Sequence, residues 1–105
     1  MRIEQLTFFL ALTRLRSFHA AAHALGITQQ ALSSSIKSLE NEFGVTLVTR
    51  RRTGCTLTAD GEIFLNYARK CLDDHERICS YFAGKNNGWN IQNSLDVIFT
   101  NSFLS

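Results

Sequence analysis

Residues 17–42 read SFHAAAHALGITQQALSSSIKSLENE, and this stretch decides the fold. Ser17 is placed to cap a short helix from Phe18 to Leu25, because its hydroxyl can accept from a free amide of the first turn. The small residues Ala21 and Ala22 let another helix approach closely. Gly26 stands where this helix ends and the backbone needs positive φ. Ile27 plugs the turn, and Thr28 caps a further helix from Gln29 to about Phe43. Along that helix Leu32, Ile36, Leu39 and Phe43 follow steps of four, three and four, which makes one face apolar. The opposite face holds Gln30, Ser33, Ser34, Lys37 and Ser38, polar and mostly small. Two helices joined by a short glycine turn, the second with a small polar outer face, form a helix-turn-helix pattern.

Such a face suits the major groove, which is about 12 Å wide and excludes bulky apolar side chains. Gln29 and Gln30 can hydrogen-bond base edges, adenine being a favoured partner of glutamine. Ser33 and Ser34 can reach a base or a phosphate, and Lys37 suits a phosphate. A polar helix face standing alone is more simply a solvated one. The short helix before it and the basic segment after it weigh the other way.

Working outward, Ile3, Leu6, Phe9, Leu10 and Thr13 keep helical spacing and predict a first helix from about Ile3 to Arg14. After Gly44, two β-capable runs, Val45–Thr49 and Cys55–Leu57, flank the turn Arg50–Arg51–Arg52–Thr53–Gly54 and predict a hairpin. The three arginines are the densest charge in the chain and are expected to straddle phosphates or enter a minor groove. Thr58 then caps a long helix over about 59–83, with Asp60 and Glu62 in its first turn. Phe64, Ala68, Cys71, His75, Ile78 and Phe82 alternate steps of four and three, a heptad seam that predicts pairing with a second copy. Residues 84–93 read as a flexible linker, and Leu95–Phe99 reads as a strand that starts just before the sequence stops.

The 105 residues suffice for one small core. Met1–Leu57 hold seven Lys/Arg against three Asp/Glu (7 − 3 = +4), whereas Thr58–Ala83 hold three against five (3 − 5 = −2). The first half is therefore the part expected to face a polyanion. Cys55, Cys71 and Cys79 form no CxxC pair and are expected to be free thiols in a reducing, cytoplasmic setting. No signal-peptide pattern opens the chain, and no apolar run reaches membrane-spanning length. His19 and His23 lie four apart on a helix but have no third ligand, so no metal and no cofactor are expected. No nucleophile–base pairing, phosphate loop or paired carboxylates appear, and an enzyme is not expected.

Taken with Leu6 and Phe9, Ser17–Phe18, Ala21–Ala22, Leu25, Gln29, Ala31–Leu32–Ser33, Ile36, Leu39–Glu40, Gly44, Leu47, Arg50, Leu57–Thr58 and Gly61, residues 1–62 resemble the N-terminal domain of LysR-type transcriptional regulators. The resemblance implies a mainly α fold: a winged helix-turn-helix of three helices and a two-stranded wing over 1–58, followed by a linker helix that pairs two subunits. It implies sequence-specific binding of double-stranded DNA by a homodimer on an inverted-repeat operator. Gln29, Gln30, Ser33 and Ser34 would contact bases or the groove; Phe18, His19, Thr28, Lys37, Arg50, Arg51 and Arg52 would position the DNA backbone. Residues 94–105 resemble the opening of the family's effector-binding domain, so the inducer-binding domain is expected to be absent from this chain. Two positions depart from the family's usual pattern: Gln30 stands where proline is common, and Val48 stands where phenylalanine is common. Gln keeps the first helical turn and adds a side chain that can bond a base, so base preference is expected to differ from relatives. Two other readings share the fold: a truncated dimerisation module that modulates full-length regulators without binding DNA itself, and another winged-helix family such as the molybdate-responsive regulators.

Overall fold

The computed structural model describes residues 1–85. Its elements are α1 (Ile3–Leu15), α2 (Phe18–Leu25), α3 (Gln29–Phe43), β1 (Val48–Arg51), β2 (Gly54–Leu57) and α4 (Ala59–Lys85). The expected strand over 94–105 and all but the first two residues of the expected linker lie outside the described residues. Those two, Gly84 and Lys85, close α4 instead of opening a linker. Nothing after Ala83 breaks the helical ladder at once, since Gly84 is tolerated near a helix end.

The caps act where the sequence places them. Ala20 N donates to Ser17 Oγ at 3.0 Å, and Ala31 N donates to Thr28 Oγ1 at 3.0 Å. Gly26 (φ 70°) and Gly44 (φ 66°) end α2 and α3 in the left-handed region. The turn between α1 and α2 is less expected, because Arg16 takes φ 57° without being glycine. Its conformation is held by two bonds: Arg16 N donates to Leu12 O at 2.8 Å, and its Nε donates to Thr13 O at 2.9 Å.

The core is a single cluster in which Leu6, Phe9 and Leu12 of α1 meet Ala21 and Ala22 of α2 and Leu32, Ile36 and Leu39 of α3. Each fully buried Leu or Phe contributes about 1.5–3 kcal/mol. Leu47 and Cys55 join from the hairpin, and Leu65, Ala68 and Leu72 from α4. The alanines of α2 leave room for α3 to cross at short range, as a helix-turn-helix requires.

The hairpin begins later than its composition suggests. β1 pairs antiparallel with β2 in the register Val48↔Leu57, Thr49↔Thr56, Arg50↔Cys55 and Arg51↔Gly54. Arg50 and Arg51 are therefore strand residues, and only Arg52 and Thr53 form the turn. Val45–Leu47 are drawn into the core approach instead: Glu40 Oε2 accepts from Leu47 N at 2.7 Å and from Val48 N at 3.2 Å. The positive φ sits at Gly54 (142°), where an added Cβ would lie 2.3 Å from Arg16 O. Cys55 N donates to that same Arg16 carbonyl at 3.0 Å, which fastens the hairpin to the α1–α2 turn.

α4 starts on Thr58, whose Oγ1 accepts from Gly61 N at 2.9 Å and donates to Thr46 O at 2.5 Å. Its 27 residues span about 40 Å at 1.5 Å per residue. The stripe it buries in its own domain is Gly61, Leu65, Ala68 and Leu72, with Phe64 half-buried beside it. Phe64 stacks edge-on against Phe9 at 5.0 Å and lies tilted on Phe43 at 5.7 Å. Of the expected seam, Phe64 and Ala68 thus pack within the domain. Cys71, Ile78 and Phe82 are exposed, and His75 is half-buried.

Candidate nucleic-acid interface

α3 buries Leu32, Ile36 and Leu39 and turns Gln29, Gln30, Ser34 and Lys37 to solvent, with Ser33 half-buried at its edge. Both groups follow from one 3.6-residue period, so the residues that fix the helix also decide what it displays. Its first turn holds no acidic residue, which leaves the positive end of the helix dipole uncompensated for an anion. Thr28 uses its hydroxyl as the helix cap and is exposed there.

His19, on the exposed side of α2, meets the start of α3: its Nδ1 lies 3.1 Å from Gln29 Nε2. An amide nitrogen can only donate, so this contact requires Nδ1 to accept and the ring proton to sit on Nε2. Gln29 is then left with its carbonyl oxygen and one N–H for another partner. This contact had no signal in the sequence, since residues ten apart on different helices share no periodicity.

The three arginines of the wing are not equivalent. Alternation along β1 puts Arg50 on the face of Val48 and Arg51 on the opposite one. Arg50 lies across the first residue of α2, with Cζ 3.6 Å from the centroid of the Phe18 ring. Its guanidinium also donates to Ser33 Oγ. Arg51 Nε donates to Thr56 Oγ1 at 3.2 Å on the outer face, and Arg52 occupies the tip. Phe18 is buried and supports Arg50 from below. Together Phe18, Ser33, Ser34, Lys37 and Arg50 line a cleft of about 490 Å³ between α3 and the wing.

Beneath the wing, burial pushes the Cys55 thiol above its ordinary value of 9.0, opposed by the positive charges of Arg16 and Arg50. Glu40 and Gly61 are functional supports that the sequence offered only as part of a pattern. Glu40 holds the start of β1, and Gly61 lets α4 pass against the Leu47 carbonyl, which an added Cβ would meet at 2.1 Å. Among the described residues no group of three or more metal-ligating side chains comes together. No helix among them is long and apolar enough to cross a membrane.

Residues 3–62 match the family described as bacterial regulatory helix-turn-helix protein, lysR family. The chain is 46% identical over 72 residues to the HTH-type transcriptional regulator AlsR of Bacillus subtilis, a match covering 69% of this chain and 24% of that protein. It is 45% identical over 73 residues to the HTH-type transcriptional regulator HdfR of Salmonella newport, covering 70% and 26% respectively. The chain spans about a quarter of the length of these curated relatives. Among solved structures it is similar to BenM_DBD in complex with catB site 1 DNA, at TM-score 0.79 and 33% identity over 84% of this chain and 99% of that one. It is also similar to CbnR_DBD in its DNA complex, at TM-score 0.78 and 31% identity over 82% and 99%.

Proposed function

The chain belongs to the lysR family of bacterial regulatory helix-turn-helix proteins, and from that premise we propose that it binds double-stranded DNA sequence-specifically to regulate transcription. The observation that carries this reading is the outward face of α3, where Gln29, Gln30, Ser34 and Lys37 are exposed on a helix whose opposite face is locked in the core. A rigid helix bearing short polar side chains enters a major groove and meets base edges at fixed positions. Gln29 and Gln30 take base edges, Ser33 and Ser34 the groove, and Lys37 a phosphate. Thr28, Phe18 and His19 support the start of α3 against the backbone. Arg51 and Arg52 extend from the wing towards phosphates or the minor groove. The two similar domains named above were each solved on DNA, which supports this placement.

The working unit is a homodimer on an inverted repeat. α4 leaves Ile78 60%, Tyr81 59% and Phe82 50% exposed, on a half of the helix that the domain's own core does not reach. A second copy covers this face with Cys71, His75, Ile78 and Phe82 of the heptad seam. Two recognition helices would then address successive major grooves. The protein acts in the bacterial cytoplasm, without catalysis and without a cofactor, and any inducer belongs to a domain beyond this one.

Binding sites selected from a random DNA pool, followed by titration at several salt concentrations, test the reading. Lys37, Arg51 and Arg52 in each protomer predict six phosphate contacts, hence a log–log salt slope of about −5. Heterodimer formation with a full-length relative, without DNA affinity of its own, would refute it in favour of the modulator role. Ile78→Glu is expected to turn a dimer into a monomer in sedimentation equilibrium; a dimer unchanged by it would remove the pairing face.

A further inference from the structure

Arg50 stands apart from its two neighbours. It shares the inward face of the hairpin with Val48 and Cys55, both buried, whereas Arg51 faces outward and Arg52 caps the tip. Its planar guanidinium lies 3.6 Å over the Phe18 ring and donates to Ser33 Oγ. One side chain of β1 therefore joins the start of α2 to the middle of α3. We infer that Arg50 is a positioning residue for the recognition helix, not a phosphate contact, and that it sets the hydrogen-bonding sense of Ser33. The inference rests on the DNA-binding reading above and assigns a role within that same surface.

The chemistry follows from the donor count. Arginine has donors only, so Ser33 Oγ must accept from Arg50, and its own hydrogen is left to point elsewhere. A charge-assisted bond to the oxygen polarises the hydroxyl and strengthens it as a donor. Ser33 then favours acceptor atoms such as guanine O6 and N7 or thymine O4, and disfavours the cytosine amino group. Stacking on Phe18 and the fixed fork of the guanidinium both depend on planarity, so lysine preserves the charge and loses the function.

The test uses the whole chain and a site selected from random DNA, with base substitutions at each position and a salt series. Ser33→Ala identifies the base pair that Ser33 reads. Arg50→Lys and Arg50→Ala are both expected to lose about tenfold in specific affinity, the scale of one base contact. Both should flatten preference at that base pair and keep the wild-type salt slope. Arg52→Ala should instead weaken binding at all sequences and reduce the slope by about one. Wild-type affinity in Arg50→Lys, or a slope reduced by about one in Arg50→Ala, overturns the assignment. If Arg50→Ala does not fold, Arg50→Lys and Ser33→Ala decide it.

A readout without DNA separates this claim from the function it rests on. The δ-methylene protons of Arg50 should resonate upfield in the free protein, shielded by the Phe18 ring, and return to their usual position in Phe18→Leu. An unshifted wild-type signal overturns the strut whatever the DNA results. A shifted signal with no specific DNA binding overturns the proposed function and leaves the strut standing.

Discussion

Replacing Gly61 by alanine sets two effects of opposite sign against each other. In a helix interior alanine is favoured over glycine by about 0.8–1 kcal/mol, so propensity alone predicts a more stable protein. The structure predicts the reverse. A Cβ at position 61 would stand 2.1 Å from Leu47 O, 3.1 Å from Leu47 C and 3.2 Å from Leu57 Cβ. The nearest of these is main chain, which cannot rotate away, so α4 and the Leu47 strand must separate by about 1 Å to reach even the 3.0 Å limit of real Cβ contacts. That movement stretches the 3.0 Å bond from Thr58 N to the same Leu47 oxygen, at a cost of about 1 kcal/mol. Overpacking adds about 1–3 kcal/mol. After the propensity gain, the net loss is about 2 kcal/mol, which for a domain of this size lowers Tm by roughly 8–16 °C. Thermal unfolding followed by circular dichroism at 222 nm measures it. Gly84→Ala is the control, since nothing lies within 4 Å of its Cβ position, and its Tm should stay level or rise slightly. A Gly61→Ala protein as stable as wild type would refute the steric argument and leave helix propensity in charge.

Glu40→Ala removes the acceptor of two main-chain amides at the start of β1; stability should fall by about 2–4 kcal/mol in urea unfolding, and a change below 0.5 kcal/mol would deny Glu40 its role. His19→Ala should release the Gln29 amide and lower specific DNA affinity by about 0.5–1 kcal/mol with the salt slope unchanged; a change in slope would make His19 a charged contact instead. The buried Cys55 thiol has a raised folded pKa, so the folded state holds that proton more tightly than the unfolded one. Its contribution is complete below the unfolded value and is lost as pH rises through the folded one. Tm measured from pH 8 to 11 should therefore fall more in wild type than in Cys55→Ala, and equal falls would show that the thiol is not the cause. Among the cysteines, exposed Cys71 should react with a thiol reagent far faster than buried Cys55; equal rates would mean that the hairpin opens freely.

What could be read in advance divides along physical lines. The bounds of α2 and α3 agree with the sequence reading because each helix is closed by local chemistry, a hydroxyl before it and a glycine after it. The hairpin was legible as an element but not in register. A run of arginines looks like a turn by composition, yet Arg50 and Arg51 are held in β1 by pairing with Cys55 and Gly54, contacts that no local pattern encodes. α4 carries more than one apolar stripe. The heptad seam traced one through Phe64, Cys71 and Ile78, while the domain buries another through Gly61, Leu65 and Leu72. Periodicity reports that a stripe exists, but which stripe meets the domain's own core depends on where Thr58 and Gly61 dock. In the candidate interface the exposed residues of α3 were legible from their spacing. The links from His19 to Gln29 and from Arg50 to Phe18 and Ser33 were not, since they join different elements.

The fastening of the hairpin also marks out how this surface can diversify. Its inner strand leans on Phe18 through Arg50, and its return strand is pinned at Arg16 O by Cys55 N and by the bare α-carbon of Gly54. Both stems are tied to the helices, and only Arg52 and Thr53 hang beyond the ties. A library of altered tips confined to those two positions should therefore leave the scaffold intact, whereas one spread over positions 50–54 should return mostly unfolded clones. New operator preferences gained through the wing would then be found two residues wide.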